Sequence, residues 1–210
     1  MIMNSREKIL QAIALNKPDL IELPEVDISL TSHYNDVVRQ FAGMIEAVGG
    51  TVLSTNSIHN LLTEISAIEE EGKFVINLLE DSDTDKWKGL RADDLKELDT
   101  CYLQAQLGVA ENGALWISEM QMSNRLIPFI CQHLVIVLNP NDIVNNMHEA
   151  YNQINAVSDG FGVFIAGPSK TADIEQNLVI GAHGARSLQV YLIDSFRSRR
   201  QDQNTGFGSE

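Results

Sequence analysis

The chain has 210 residues, 44% of them apolar, enough for one generous domain with a sizeable core. Its 15 Lys and Arg against 29 Asp and Glu leave a formal charge of −14. That balance excludes the basic footprint of a nucleic-acid binder and any attraction to an anionic membrane. Two cysteines, Cys101 and Cys131, exclude a disulfide scaffold and a zinc site, and their apolar neighbours mark them as buried, inert thiols.

The first ten residues carry Arg6, Glu7 and Lys8 instead of an apolar leader, and the longest apolar run, Leu134 to Leu138, has only a strand's length. A cytoplasmic location is therefore expected. Ser5 is placed to cap a short helix with Ile9, Leu10 and Ile13 on one face, ended by Asn16-Lys17-Pro18. Residues 18–31 hold Pro18 and Pro24 and show no period, so residues 1–31 read as a helix on an extended arm. The helix cannot bury its stripe alone. It must dock on the rest of the chain or on a second copy, as in a homodimer.

A long helix is predicted from Ser32 to Val48, where Tyr34, Val37, Val38, Phe41, Ile45 and Val48 recur at helical spacing before Gly49-Gly50. Thr51 to Thr55 is a strand. Ser57 caps a second helix, with Leu61, Leu62, Ile65 and Ile68 on one face, and Lys73 to Leu79 is a second strand. Strand–helix–strand is the unit of a parallel sheet. Residues 80–100 are acidic and weakly patterned, with a turn of helix near Asp93–Leu98. Leu107 to Ser118 then reads as a hairpin around Glu111-Asn112-Gly113, since Asn-Gly favours positive φ. A short helix at Asn124–Ile130, a buried strand at His133–Leu138 and a turn at Asn139–Asp142 follow. Next come a helix at Ile143–Val157, with Ile143, Met147, Ala150, Tyr151 and Ile154 inward, and strands at Gly162–Ala166 and Ser187–Asp194. Residues 195–210 have no apolar period and read as a disordered tail.

The stretch from Gly167 to Arg186 is rich in chemistry for a connector. Ser169 and Thr171 offer hydroxyls, Asp173 and Glu175 carboxylates, Lys170 and Arg186 cations, and His183 stands between Gly181 and Gly184. It leaves the C-terminal end of the Gly162–Ala166 strand, the side on which open α/β sheets bind ligands. Hydroxyls and backbone amides near a helix start can cradle an anion. The plainer reading is a capped loop in which Ser169 or Thr171 starts a helix and Asp173 and Glu175 sit near its positive end.

The run GPSKTADIEQNLVIGAHGARSLQVYLI resembles the closing signature of the lactate-utilisation (LUD, LutC/YkgG) family. There, Gly-Pro-Ser-x-Thr-Ala-Asp-Ile-Glu leads to Gly-x-His-Gly-Pro and a last strand. GVAENGALWIS resembles that family's earlier Ala-Glu-Thr-Gly-Thr loop. Order and spacing agree from about Val37 to Asp194, so a LUD domain is expected over residues 32–194. Two positions depart from the pattern: Ala185 stands where proline is usual, and Asn112 where threonine is usual.

The resemblance implies an α/β fold, a mostly parallel sheet flanked by helices with a hairpin insertion. That fold is similar to the ribose-phosphate isomerase, glucosamine-phosphate deaminase and CoA-transferase group. It also implies a role in oxidising L-lactate to pyruvate beside iron–sulfur partner subunits. This chain would bind a small carboxylate or phosphate and hold no cofactor itself, since two cysteines are too few for a cluster. Carried over position by position, the family's loops point to Glu111, Asn112, Gly113, Ser169, Thr171, Asp173, Glu175, His183 and Gly184. Ser169, Thr171 and nearby amides would hold the anion. His183 would act as general base or ligand, oriented by Asp173, and Arg186 would clamp a carboxylate. A backbone-bonded buried His183 and a surface Arg186 are the plainer alternatives.

Ala-Glu-Asn-Gly also resembles the Ser-Glu-Asn-Gly motif of class I CoA transferases, whose glutamate attacks an acyl-CoA, although the leading serine is Ala110 here. A plain hairpin turn explains the same residues. Two other functions stay open: a stand-alone acyl-transferase-like or sugar-phosphate isomerase-like enzyme, and a non-catalytic ligand-binding or assembly module. His33, His59, His133 and His148 lack metal-ligand spacing, and Trp87 and Trp116 read as packing residues. Neither a GxGxxG nor a GxxxxGK[ST] run occurs.

Overall fold

The strand–helix alternation read from residues 51–79 becomes the frame of the protein in a computed structural model. It describes residues 4–18, 21–22, 24, 27, 30–55, 57–80, 84–154, 160–172, 178–181, 183–194 and 196, with backbone alone at 84, 171, 172, 178 and 179. The chain divides into two units, Met1–Leu30 and Thr31–Glu210. In the first, α1 (Ser5–Leu15) is capped by Asn4, one residue before the expected Ser5. Asn4 Oδ1 accepts from the Glu7 N–H at 2.8 Å, and Glu7 Oε2 accepts from the Asn4 N–H at 3.0 Å, a reciprocal box that Ser5 does not make.

The second unit opens with α2 (Val37–Ala47), capped by Asp36, with Phe41 and Ile45 buried. It starts five residues later than the spacing predicts, because residues 31–34 are tied elsewhere. Asn146 Nδ2 donates to Thr31 Oγ1 and to the Ser32 carbonyl, and the Tyr34 N–H donates to Asn145 Oδ1. Strand β1 (Thr51–Ser54), α3 (Ile58–Glu70) with its Ser57 cap, and β2 (Val75–Asn77) follow. The acidic segment contains one helical turn, α4 (Ala92–Leu95), and leads into β3 (Thr100–Gln104). Next come the hairpin strands β4 (Leu107–Val109) and β5 (Ala114–Ser118) and two short helices, α5 (Glu119–Met122) and α6 (Ile127–Ile130). The rest comprises β6 (His133–Leu138), β7 (Ile143–Val144), α7 (Met147–Gln153), β8 (Gly162–Ile165), β9 (Lys170–Ala172), β10 (Leu178–Ile180) and β11 (Ser187–Leu192).

Five strands form an all-parallel sheet in the order β1-β11-β6-β3-β2. Its members β6 and β3 are buried on both faces, so neither shows alternation, and β6 reads as a continuous apolar run. One face carries Leu134, Ile136, Leu138, Leu188 and Val190 against Phe41 and Ile45 of α2. The other carries Tyr102, Val135 and Val137 against Leu61 and Ile65 of α3. Each such side chain, fully withdrawn from water, stabilises the fold by about 1.5–3 kcal/mol. Cys101 and Cys131 lie in the first cluster, and burial pushes the Cys131 thiol up to about 12 and Cys101 well above its ordinary value.

The second sheet has the order β7-β4-β5-β8, with β5 antiparallel to both β4 and β8. Two expectations change here. Ile143 and Val144 pair with β4 instead of opening a helix, so α7 is short, and Tyr151 is exposed instead of inward. The Gly162–Ile165 strand belongs to this mixed sheet and not to the parallel one.

Candidate functional site

Both loops singled out in the sequence press on the C-terminal half of α2. Gly113 adopts φ +69° in the β4–β5 turn, and a Cβ there would stand 3.1 Å from the Ile45 nitrogen. Gly167, at φ +81°, lies so close to Val48 that a Cβ would meet its carbonyl oxygen at 2.9 Å. Ile45 and Val48 are about one helical turn apart.

The Asn-Gly turn forms as the residue types require. The Gly113 N–H donates to the Val109 carbonyl at 2.9 Å, and Asn112 Oδ1 accepts from the Ala114 N–H at 3.0 Å. Glu111, half-buried, turns its carboxylate to the start of α7, where Oε2 accepts from the Met147 N–H at 3.1 Å. Its own N–H donates to the Asn145 carbonyl at 3.0 Å. Asn146 caps the same helix through the Glu149 N–H at 3.0 Å, and the Glu149 carboxylate accepts from the Asn145 N–H at 2.8 Å with His33 Nδ1 3.5 Å away. The geometry gives Glu111 the position of a carboxylate satisfying orphan N–H groups at a positive helix end.

The second loop builds a cleft of about 280 Å³. The Ser169 N–H donates to the Ala185 carbonyl at 2.8 Å, and the Gly181 N–H donates to the Ser169 carbonyl at 3.0 Å. These bonds fold Gly167–Lys170 onto His183–Ala185. A Cβ on Gly184 would lie 3.2 Å from Ser169 Cβ, so the absence of a side chain there admits the close approach. The cleft is lined by Ser169, Lys170, His183 and Gly184 together with Pro128, Phe129, Leu134 and Phe164. His183 is exposed. Lys170 stretches toward the end of α2, its Nζ 2.9 Å from where a Gly49 Cβ would stand, at the helix end that favours a cation.

The helix expected to start at Ser169 or Thr171 is replaced by the antiparallel β9–β10 pair, in which Thr171 faces Val179. Asp173 and Glu175 fall outside the described residues, as does the Thr171 side chain. Arg186 is exposed, does not line the cleft and packs its stem over Gly181. Glu111, Asn112 and Gly113 do not line it either. The cleft also opens at the edge where the parallel strands begin. His183–Ala185 run straight into β11, and the Arg186 N–H donates to the Gln132 carbonyl beside the start of β6. The expected placement at the strands' C-terminal ends does not hold, because β8, which delivers the loop, is a strand of the mixed sheet. Lys170, read in the sequence as one of the loop's cations, occupies the free position of the Gly-Pro-Ser-x-Thr run, and Phe129 comes from a distant segment without a sequence signal as a lining residue. Among the described residues no three His, Cys, Asp or Glu gather as a metal site, and no helix is long and apolar enough to cross a membrane.

Lactate utilization protein C of Bacillus pumilus is 33% identical over 92 residues, 41% of this chain and 38% of that protein. At this level of identity the chain spans about two fifths of the curated relative's length. Lactate utilization protein C of Anoxybacillus flavithermus is 23% identical over 201 residues, 86% of this chain and 91% of that one. The fold resembles a crystal structure of a DUF162 family protein from Deinococcus radiodurans, with a TM-score of 0.56 at 17% identity over 78% of this chain and 99% of that one. The LUD domain family matches residues 80–193, more than half of the chain and the part that holds both loops, and the chain belongs to that family.

Proposed function

We propose that the cleft beside His183 binds a small carboxylate of the lactate–pyruvate type, and that the chain serves lactate oxidation next to separate iron–sulfur subunits that carry the electrons. The observation behind this reading is the cleft's mixed lining: Ser169, Lys170 and His183 together with Phe129, Leu134 and Phe164. A hydroxyl, an ammonium and an imidazole suit a carboxylate, while the apolar wall suits a methyl group. A volume of about 280 Å³ falls just below the ~300 Å³ at which clefts for drug-sized ligands begin. The names of the relatives supply the lactate context. Two buried thiols cannot furnish the four ligands of a cluster, which assigns that chemistry to partners in this reading.

In this reading Lys170 supplies the charge and Ser169 a hydrogen bond, and His183, which lines the same cleft, exchanges a proton with the bound acid's hydroxyl. Calorimetric titration with L-lactate and with pyruvate tests the proposal. Binding to the intact protein that falls about tenfold or more in Lys170→Ala is expected, from the loss of a charge-assisted contact. No heat of binding for either acid, or equal affinity in Lys170→Ala, removes the reading.

A further inference from the structure

Among the described residues that line the His183 cleft, Phe129 is the large apolar side chain left exposed, at 39%. Leu134 is 2% exposed within the parallel sheet. Phe164 is half-buried and packs against Trp116 and Tyr151, with ring centroids 4.8 and 5.8 Å away. An apolar contact stabilises a bound molecule in proportion to the area it newly withdraws from water. Phe129 therefore has the most area to offer a ligand, and Leu134 almost none.

Phe129 is also held in place. Its helix, α6, is four residues long, too short to be stable by itself. Ile127 and Pro128, its neighbours in the chain, are buried. Further support comes from Asn124. Its Nδ2 donates to the Trp87 and Leu90 carbonyls, each at 3.0 Å, and its Oδ1 accepts from the Leu126 N–H at 3.0 Å. Its carbonyl accepts from the Ile127 N–H at 3.2 Å. The preceding residue, Ser123, adopts φ +55°, a conformation that a non-glycine residue keeps only where its surroundings hold it. An exposed ring mounted on a fixed backbone loses little freedom when a ligand covers it.

The cleft's volume of about 280 Å³ approaches the ~300 Å³ at which clefts for drug-sized ligands begin, so a three-carbon acid occupies only part of it. We infer that Phe129 sets the chain-length preference of this cleft, and that its ligands are short 2-oxo or 2-hydroxy acids whose apolar chain is longer than a methyl group. Asn124 is the positioning residue that keeps Phe129 at the cleft. The inference rests on the carboxylate reading above: Lys170 and Ser169 hold the acid group, and Phe129 covers the chain attached to it.

Calorimetric titration of the full chain with pyruvate, 2-oxobutanoate and 2-oxopentanoate is the test. Each added methylene is expected to tighten binding to the wild type about fourfold, the worth of one buried CH₂. Phe129→Ala is expected to cut each step to less than about twofold, since the covering ring is gone. Asn124→Ala is expected to flatten the series in the same way. Lys170→Ala is expected to weaken all three acids alike and leave the steps intact. Phe129→Ala, which changes an exposed side chain, decides the matter if Asn124→Ala fails to fold. Pyruvate binding with a flat or falling wild-type series, or with full steps surviving in Phe129→Ala, overturns the inference and leaves the carboxylate reading standing. A folded Asn124→Ala with wild-type steps overturns the positioning role. No heat with any of the three acids removes the carboxylate reading and the inference together.

Discussion

Replacing Glu111 separates the two roles its motif suggests. As the acceptor for the Met147 N–H at 3.1 Å, its carboxylate satisfies a first-turn donor of α7, a helix whose Ala150 is fully buried. Glu111→Ala leaves that donor without its partner and removes a negative charge from the helix's positive end. Loss of a cap costs about 0.5–2 kcal/mol, and the charge contributes about 0.3–1 kcal/mol. The two overlap, so a total of about 1–2 kcal/mol is expected, which for a protein of this size lowers Tm by about 2–8 °C. Glu111→Gln keeps a carbonyl acceptor and loses only the charge, so about 0.3–1 kcal/mol is expected. Urea unfolding read by tryptophan fluorescence gives both numbers, with an unchanged m-value as the check that the denatured state is the same. Stability of Glu111→Ala equal to wild type refutes the capping argument. Incubation with an acyl-CoA followed by peptide mass spectrometry addresses the other role. An acyl adduct on Glu111 would show that the carboxylate leaves its helix to react.

Two further changes probe packing and pH. A Cβ on Gly162 would stand 2.2 Å from Trp116 Cζ2, and that indole is held against Phe164 with ring centroids 4.8 Å apart, so Gly162→Ala should cost about 1–3 kcal/mol; an unshifted urea midpoint would count against the close β5–β8 packing. Burial, with the hydrogen bond from Tyr191 Oη to Glu64 Oε2 at 2.9 Å, raises the Tyr191 phenol from 10 to about 12. A raised folded value means that the contribution is complete below pH 10 and lost as pH climbs toward 12. The stability advantage of wild type over Tyr191→Phe should therefore shrink across that window, and a constant difference would contradict the raised value.

Most elements were legible where a single rule governed the residues. Phe41 and Ile45 at helical spacing, Ser57 before an apolar stripe and Asn112-Gly113 between apolar runs all report local physics, and α2, α3 and the β4–β5 turn followed. β3 was not legible. Thr100–Gln104 is buried throughout, so it has no alternation, and it follows an acidic stretch that hides its start. Ile143 and Val144 misled for the opposite reason. Their spacing to Met147, Ala150 and Ile154 suits a helix, yet pairing with Gly108 and Val109 satisfies their backbone first.

Of the residues singled out in the sequence, Ser169, His183 and Gly184 line one cleft, whereas Glu111, Asn112, Gly113 and Arg186 do not line it. Gly167–Lys170 and His183–Gly184 do meet, but the bond that joins them, Ser169 N–H to the Ala185 carbonyl, has no signature in residue type. It also shows why the departure from the family's proline at 185 is tolerated. The tie uses a carbonyl, which alanine and proline supply alike, so the substitution gives up a restricted φ and keeps the bond. Asn112 follows the same logic, since its amide oxygen closes the turn onto the Ala114 N–H without the hydroxyl of the usual threonine. The two loops thus keep an acceptor and their turn geometry by different means, a backbone carbonyl at 185 and a side-chain oxygen at 112. In the proposed reading, specific recognition then falls on Ser169, Lys170 and His183, which line the cleft.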